Sequence, residues 1–248
     1  MMFFFKPKVI HLDCFTSRPD VFEMFPIDYS HKFFPQWWKD LPKVLDNTNQ
    51  FWGMNSAKSC PGIINFYANG ITIPLWSDVL IYMDGQSMQW QFSDRITEMS
   101  SHPPEQIGNF LNIKDYFHLK IASPWLFNCK ENINFMWTQS TWSFNNPKEI
   151  MIPPGIIDYT YQSGTNINFF VSLPEENKQK KLLIEAGQSM VNVIPLSERK
   201  IKLHRHLISQ EEHFKMSEKV NSQFVFQGKY SKRKQIIQNK EKKCPFGF

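Results

Sequence analysis

A histidine and an aspartate two residues apart, His11 and Asp13, are the first residues of this 248-residue chain that suggest chemistry. Near the other end stand His204 and His206, with Arg199 and Arg205 beside them. Two imidazoles and one carboxylate can hold Fe(II) on one face and leave positions open for a cosubstrate and oxygen. Residues two apart on a strand point the same way, so His11 and Asp13 converge if residues 8–15 are extended. The candidate metal ligands are therefore His11, Asp13 and His206, with His204 as the alternative to His206. Fe(II) is the possible cofactor, and Arg205 or Arg199 is placed to hold a 2-oxo acid. Against this, His-x-Asp is frequent by chance and ordinary on a solvated strand face.

Three further groups of residues carry candidate chemistry. Lys229, Lys232, Arg233 and Lys234, with Tyr230 among them, form a basic run of the kind that binds phosphate backbones by releasing counterions. Cys60 stands just before Pro61 at a predicted helix start and is a candidate nucleophile with no assigned base. The third is Pro154-Gly155-Ile156-Ile157-Asp158-Tyr159, followed later by Gly187-Gln188-Ser189-Met190. It is similar to the strand-turn pattern of dUTP pyrophosphatases and dCTP deaminases. That resemblance implies Asp158 and Tyr159 for handling water and the sugar. The chain departs from the pattern, because the expected glycine is displaced to Gly164 and no phosphate-binding Gly-Ser motif lies upstream.

Composition bounds what these residues belong to. Hydrophobic residues make up 42% of the chain, enough for a large core, and the 23 Phe, 8 Trp and 7 Tyr favour strands. The tryptophans could line a ligand pocket, but filling a core is their commoner use. The formal charge of +5 is uneven: from Lys229 onward the chain carries +6, which leaves −1 on the rest. Attraction to nucleic acid is therefore expected from the tail alone. The four cysteines are scattered with no C-x-x-C pair, which excludes a zinc ribbon or dithiol redox motif and fits a reducing compartment. The opening Met1-Met2-Phe3-Phe4-Phe5 reaches Lys6-Pro7-Lys8 at once, too short for a signal-peptide core or a membrane span.

The elements that must position these residues read mainly as strands. Residues 150–196 carry four short runs, at 156–161, 167–173, 182–184 and 190–194, separated by turn-forming clusters. Alternation predicts further strands at 8–15, 71–74, 78–83, 88–92, 117–122, 125–129, 133–141 and 200–208. A short extended piece is expected at 21–26. Asp84-Gly85 reads as a hairpin turn. Helical turns are expected after Pro35, over 56–70 with Asn69-Gly70 as a left-handed stop, and at 106–111 in a loop that could carry a binding site. A last helix from Gln210 to about Val220 should be opened by a capping box of Ser209 and Glu212.

Several segments resemble a protein family of T4-like tailed phages of marine bacteria, over most of the chain. They include His11-Leu12-Asp13-Cys14-Phe15, Ser59-Cys60-Pro61-Gly62, residues 70–78, Ser123-Pro124-Trp125, Pro154–Tyr159, Gly187-Gln188, residues 195–198 and His206-Leu207-Ile208-Ser209. The resemblance implies a viral origin and a host-cytoplasmic setting, and supplies no activity. The expectation is a mainly β protein: a single β-sandwich of jelly-roll or cupin-like type over 1–228, with a few short helices, and a basic tail over 229–248. A binding or assembly role with a phage or host protein partner ranks first, with weak nucleic-acid contact through the tail and no membrane contact. An Fe(II)/2-oxo-acid-dependent oxygenase-like enzyme is the alternative, and a dUTP pyrophosphatase-like hydrolase the third reading.

Overall fold

The computed structural model describes residues 9–45, 54–84, 87–103, 116–143, 149–174, 178–224 and 235. The basic run at 229–234, the predicted helix at 106–111 and Cys244 lie outside the described residues. Strand β1 (Val9–Thr16) alternates as its sequence predicts: Ile10, Leu12, Cys14 and Thr16 are buried, and the residues between them face outward. The extended piece expected at 21–26 is instead helical, as α1 (Pro19–Met24). Pro19 at the first helical position presets the backbone, and Val21 turns into the core. After β2 (Asp28–Tyr29) the single turn α2 (Gln36–Asp40) follows Pro35. The two-residue pair β3 (Val44–Leu45) and β4 (Met54–Asn55) leads to α3 (Pro61–Ala68), which starts later than predicted, at its proline. The left-handed stop is not formed, since Asn69 has φ −110°. Gly70 is needed for space instead: a Cβ there would sit 3.1 Å from Ile194 Cγ1, Ser30 Oγ and the Val193 carbonyl.

From this point most strands follow the predicted pattern, but strands also form at Met99–His102 and Ile150–Met151, where none was expected, and the predicted run at 156–161 is extended only as far as Asp158. β5 (Ile71–Pro74), β6 (Val79–Met83) and β7 (Met88–Phe92) come first, and β6 and β7 form the expected antiparallel hairpin. β8 (Met99–His102), β9 (Tyr116–Ile121), β10 (Leu126–Cys129) and β11 (Asn134–Gln139) follow. Next are β12 (Ile150–Met151), β13 (Gly155–Asp158), β14 (Ile167–Ser172), β15 (Lys180–Ile184), β16 (Ser189–Pro195) and β17 (Lys200–Leu207). Gly187, at φ +84°, makes the turn into β16, a backbone region that costs glycine little. The final helix α4 (Gln210–Phe224) begins at the predicted capping box. Ser209 Oγ accepts from the Glu212 amide at 3.2 Å, and Glu212 Oε2 accepts from the Ser209 amide at 3.0 Å.

The fold is mainly β, with several sheets and few helices among the described residues. The sheets run β10-β1-β17, β13-β11-β16-β5-β2, β12-β14-β9-β8 and β15-β6-β7. All four contribute to one core, through residues such as Leu12, Phe135, Phe169 and Ile81, an arrangement consistent with a β-sandwich. Each large apolar side chain so buried stabilises the fold by about 1.5–3 kcal/mol. A second, aromatic cluster of Trp38, Ile63 and Tyr67, with Trp37 and Trp142 against it, packs α2 and α3 together. Most of the described tryptophans are thus packing residues. No helix among the described residues is long and apolar enough to cross a membrane.

Candidate functional site

The parallel pairing of β1 with β17 brings the two ends of the described chain together, in the register Asp13↔His204 and Phe15↔His206. All four predicted ligand residues share the outward face of this pair. They are joined as two couples. His11 Nδ1 lies 3.0 Å from His204 Nε2 with the rings nearly parallel, and Asp13 Oδ1 accepts from His206 Nε2 at 2.8 Å. Phe15 stacks on His206 and holds its ring. The register sets His206 four positions along from His11, about 13 Å at the rise of a strand. Ligands of one iron stand far closer than that, so His11, Asp13 and His206 do not surround a point. Among the described residues no three His, Cys, Asp or Glu side chains are grouped to hold a metal ion. Arg205 points away from the histidines on either side of it: its guanidinium lies over the Phe22 ring and 4.0 Å from Asp28.

The other predicted residues are placed by the core. Asp158 and Tyr159 are 2% and 1% exposed. Asp158 Oδ1 accepts from the Thr160 amide, while its Oδ2 and the Tyr159 hydroxyl are buried without partners. Tyr159 packs against Phe127 and Phe135, and burial, reinforced by Cys14, pushes its hydroxyl pKa well up. Both side chains therefore lie in the core rather than on an open surface. Cys60 is exposed at the start of α3, with no bonded base among the described residues. Cys129 is buried beside Glu131, and burial first, then that carboxylate, pushes its thiol up to about 12.

The open space lies elsewhere. A cavity of about 870 Å³ is bounded by β8, β9, β13, β14, the turn at 162–166 and α4. Leu119 and Ile121 of β9 face the core, so the alternate residues His118 and Lys120 face outward. Lys120 pairs across the ladder with Asn168 of β14 and Ser100 of β8. One step along, His102, His118 and Phe170 form a stacked row with centroid spacings of 4.6 and 4.7 Å. Burial first, then His102 and Lys120, lowers the His118 pKa. Trp137 and Ile157 supply apolar wall. Gly155 stands opposite Trp137 in the ladder with nothing within 4 Å of where a Cβ would be, so space is open beside Gly155, while Trp137 is 5% exposed and mostly packed in the core.

The hydrogen bonds leave defined capacity in this cleft. Asn166 Oδ1 accepts from the Ser123 amide at 3.0 Å, so its NH₂ group is left to donate. His213 of α4 lies 3.1 Å from the Pro124 carbonyl through Nε2. A carbonyl only accepts, so Nε2 carries the proton and Nδ1 is an acceptor. Burial lowers the His213 pKa against the pull of that carbonyl. The described wall contains no carboxylate. Pro154 and Gly155 belong to the strand-turn motif of the sequence, and Trp137 is one of the tryptophans that could line a pocket. Lys120, Asn166, Asn168 and His213 had no local signal beyond being polar residues in strands, turns and a helix. No family model matches the chain, and no curated protein matches it.

Proposed function

We propose that this protein binds a small molecule in the cleft between β9, β13, β14 and α4, as a phage-encoded binding protein on a sandwich of jelly-roll type. The observation that carries the reading is the cavity itself. Its volume of about 870 Å³ falls within the range of ligand sites, and it joins an apolar wall at Trp137 to a few convergent polar groups. The β1–β17 face supports a catalytic reading less well, because its four polar side chains already bond to one another. Binding is the reading favoured here, since the described serines of the wall bond to Thr165 (Ser123) and to the Phe214 carbonyl (Ser217) rather than to a histidine.

The test is a ligand screen on the full chain, read by thermal shift and by NMR of the cleft residues. Nucleosides, sugars, amino acids and their phosphorylated or carboxylated forms make up the panel. A bound ligand raises Tm in a concentration-dependent way, and its NMR shifts should centre on Lys120, Asn168 and His213. A panel that shifts neither Tm nor these resonances would remove the proposal.

A further inference from the structure

We propose that the ligand of this cleft is a small organic anion, with a carboxylate or phosphate head against Lys120 and His102 and a flat apolar body beside Trp137. This rests on the cleft being a binding site and adds its chemical class. Lys120 and Asn168 are direct cross-strand partners, with Cβ atoms about 5 Å apart, and His102 is a diagonal neighbour of Lys120 at about 7–8 Å. An anionic head placed against Lys120 would have Asn168 on the strand to one side and His102 on the strand to the other. The Asn166 NH₂ adds a neutral donor on the same wall.

The charge balance points the same way. Two histidines and a lysine line the cleft, no described carboxylate does, and none pairs with Lys120 among the described residues. Such a wall repels cations. A phosphate or carboxylate there would accept charge-assisted hydrogen bonds, the stronger kind. The His118 pKa is lowered first by burial, and His102 and Lys120 add to that in the direction this picture expects.

The body of the ligand is read from the opposite wall. Space is open at Gly155, and Pro153, Leu126, Ile157 and the small exposed part of Trp137 border it with apolar surface. A planar group fills such a slot by offset stacking or edge contact. His213 Nδ1, as an acceptor, favours a hydroxyl or N–H on the ligand.

Calorimetry on the full chain with two matched pairs tests this: adenosine 5′-monophosphate against adenosine, and benzoate against benzamide. At least one anion should bind ten-fold or more tightly than its neutral counterpart. Lys120→Gln should erase that ratio by lowering the anion's affinity to that of its neutral counterpart. Gly155→Phe, whose side chain would start into the open space beside Gly155, should abolish binding of both members. The inference is overturned if neither anion binds, if the ratio is near one, or if Lys120→Gln preserves the ratio. Equal binding of both members, lost in Gly155→Phe, would keep the cleft as a site and remove only its charge preference. Anion binding that survives in Gly155→Phe would belong to another basic surface, the tail at 229–248 first, and would overturn both the class and the cleft. Unchanged circular dichroism in each variant confirms that the comparison is between folded proteins.

Discussion

The β1–β17 face and the β9–β14 cleft both present histidines and a charged side chain above the same core, yet they are opposite in what they leave over. On the first face every polar side chain named from the sequence has found another: His11 with His204, and Asp13 with His206. In the cleft, Lys120 stands across the ladder from Asn168 and diagonal to His102, and the described wall supplies no counter-charge. A buried or half-buried polar group is costly unless bonded. A face that satisfies itself is therefore structure, and one with donors left over is built to receive something. Residue types suggestive of chemistry, such as His-x-Asp, are a weaker sign of a site than unfilled bonding capacity.

The largest effect expected tests whether the two regions share one foundation. Phe169 lies in the core directly beside Asn168 on β14, and it is fully buried. Phe169→Ala should cost about 3–5 kcal/mol in urea unfolding, from lost burial and the cavity left behind. A loss below about 1 kcal/mol would mean that the two faces do not stand on a common core.

A smaller effect is expected from breaking the self-satisfied face. Asp13→Ala removes the acceptor from His206, a bond worth about 0.5–1.5 kcal/mol. The side chains of His206 and Asp13 are 41% and 25% exposed, so solvent screening puts the loss at the lower end. Ligand binding in the cleft should be unaffected. If Asp13→Ala weakened that binding ten-fold, the two regions would be energetically coupled and the contrast between them lost.

The pH dependence of stability sharpens the contrast from the cleft side. Folding lowers the His118 pKa, through burial first and then His102 and Lys120. The unfolded imidazole takes up its proton near its ordinary value of about 6.5. Just below that pH the unfolded chain holds more protons than the folded one, so stability is full above it and declines as pH falls. His213 adds a term of the same sign. Urea midpoints from pH 7.5 to 5.5 should fall in the parent protein and fall less in His118→Gln. Identical slopes in the two would show that His118 carries none of the dependence.

The smallest effect is predicted for Lys120→Gln on stability, within about 0.5 kcal/mol, because no ion pair is lost. The same substitution should erase the preference for an anion over its neutral counterpart. A stability loss above 1 kcal/mol would indicate that Lys120 is held by a partner and is not free for a ligand.

Much of the fold was legible in the residues because its rules are local. The alternation in β1 and β11, the return of β6 into β7 and the Ser209–Glu212 capping box each depend on a strand's two-residue period, a short turn or one helical turn. Where a local rule allowed two answers, packing chose. Residues 19–24 became helical because Pro19 starts a helix as readily as it ends a strand, and burial of Val21 settled it. Gly70 was read as a conformational residue and proved to be a spatial one, a distinction that only its neighbours on β16 could make.

The site was not legible, and strand register explains why. Sliding β17 against β1 by one residue would turn its apolar side outward, so the sequence alone determined which residues share a face. Sliding it by two would keep every face and change every partner. Nothing in either strand states that Asp13 lies beside His204 and bonds His206, because that choice depends on how the whole core fits. The cleft is further from local reading still. Lys120, Gly155, Asn166 and His213 come from two strands, a turn and the last helix, and each is unremarkable where it stands in the chain. The sequence determined the strands, their inward faces and the start of the last helix, through sterics and hydrogen bonds spanning a few residues. Only the tertiary structure decided which polar groups bond to one another and which remain free for a ligand, because that depends on contacts between segments up to about two hundred residues apart in the chain.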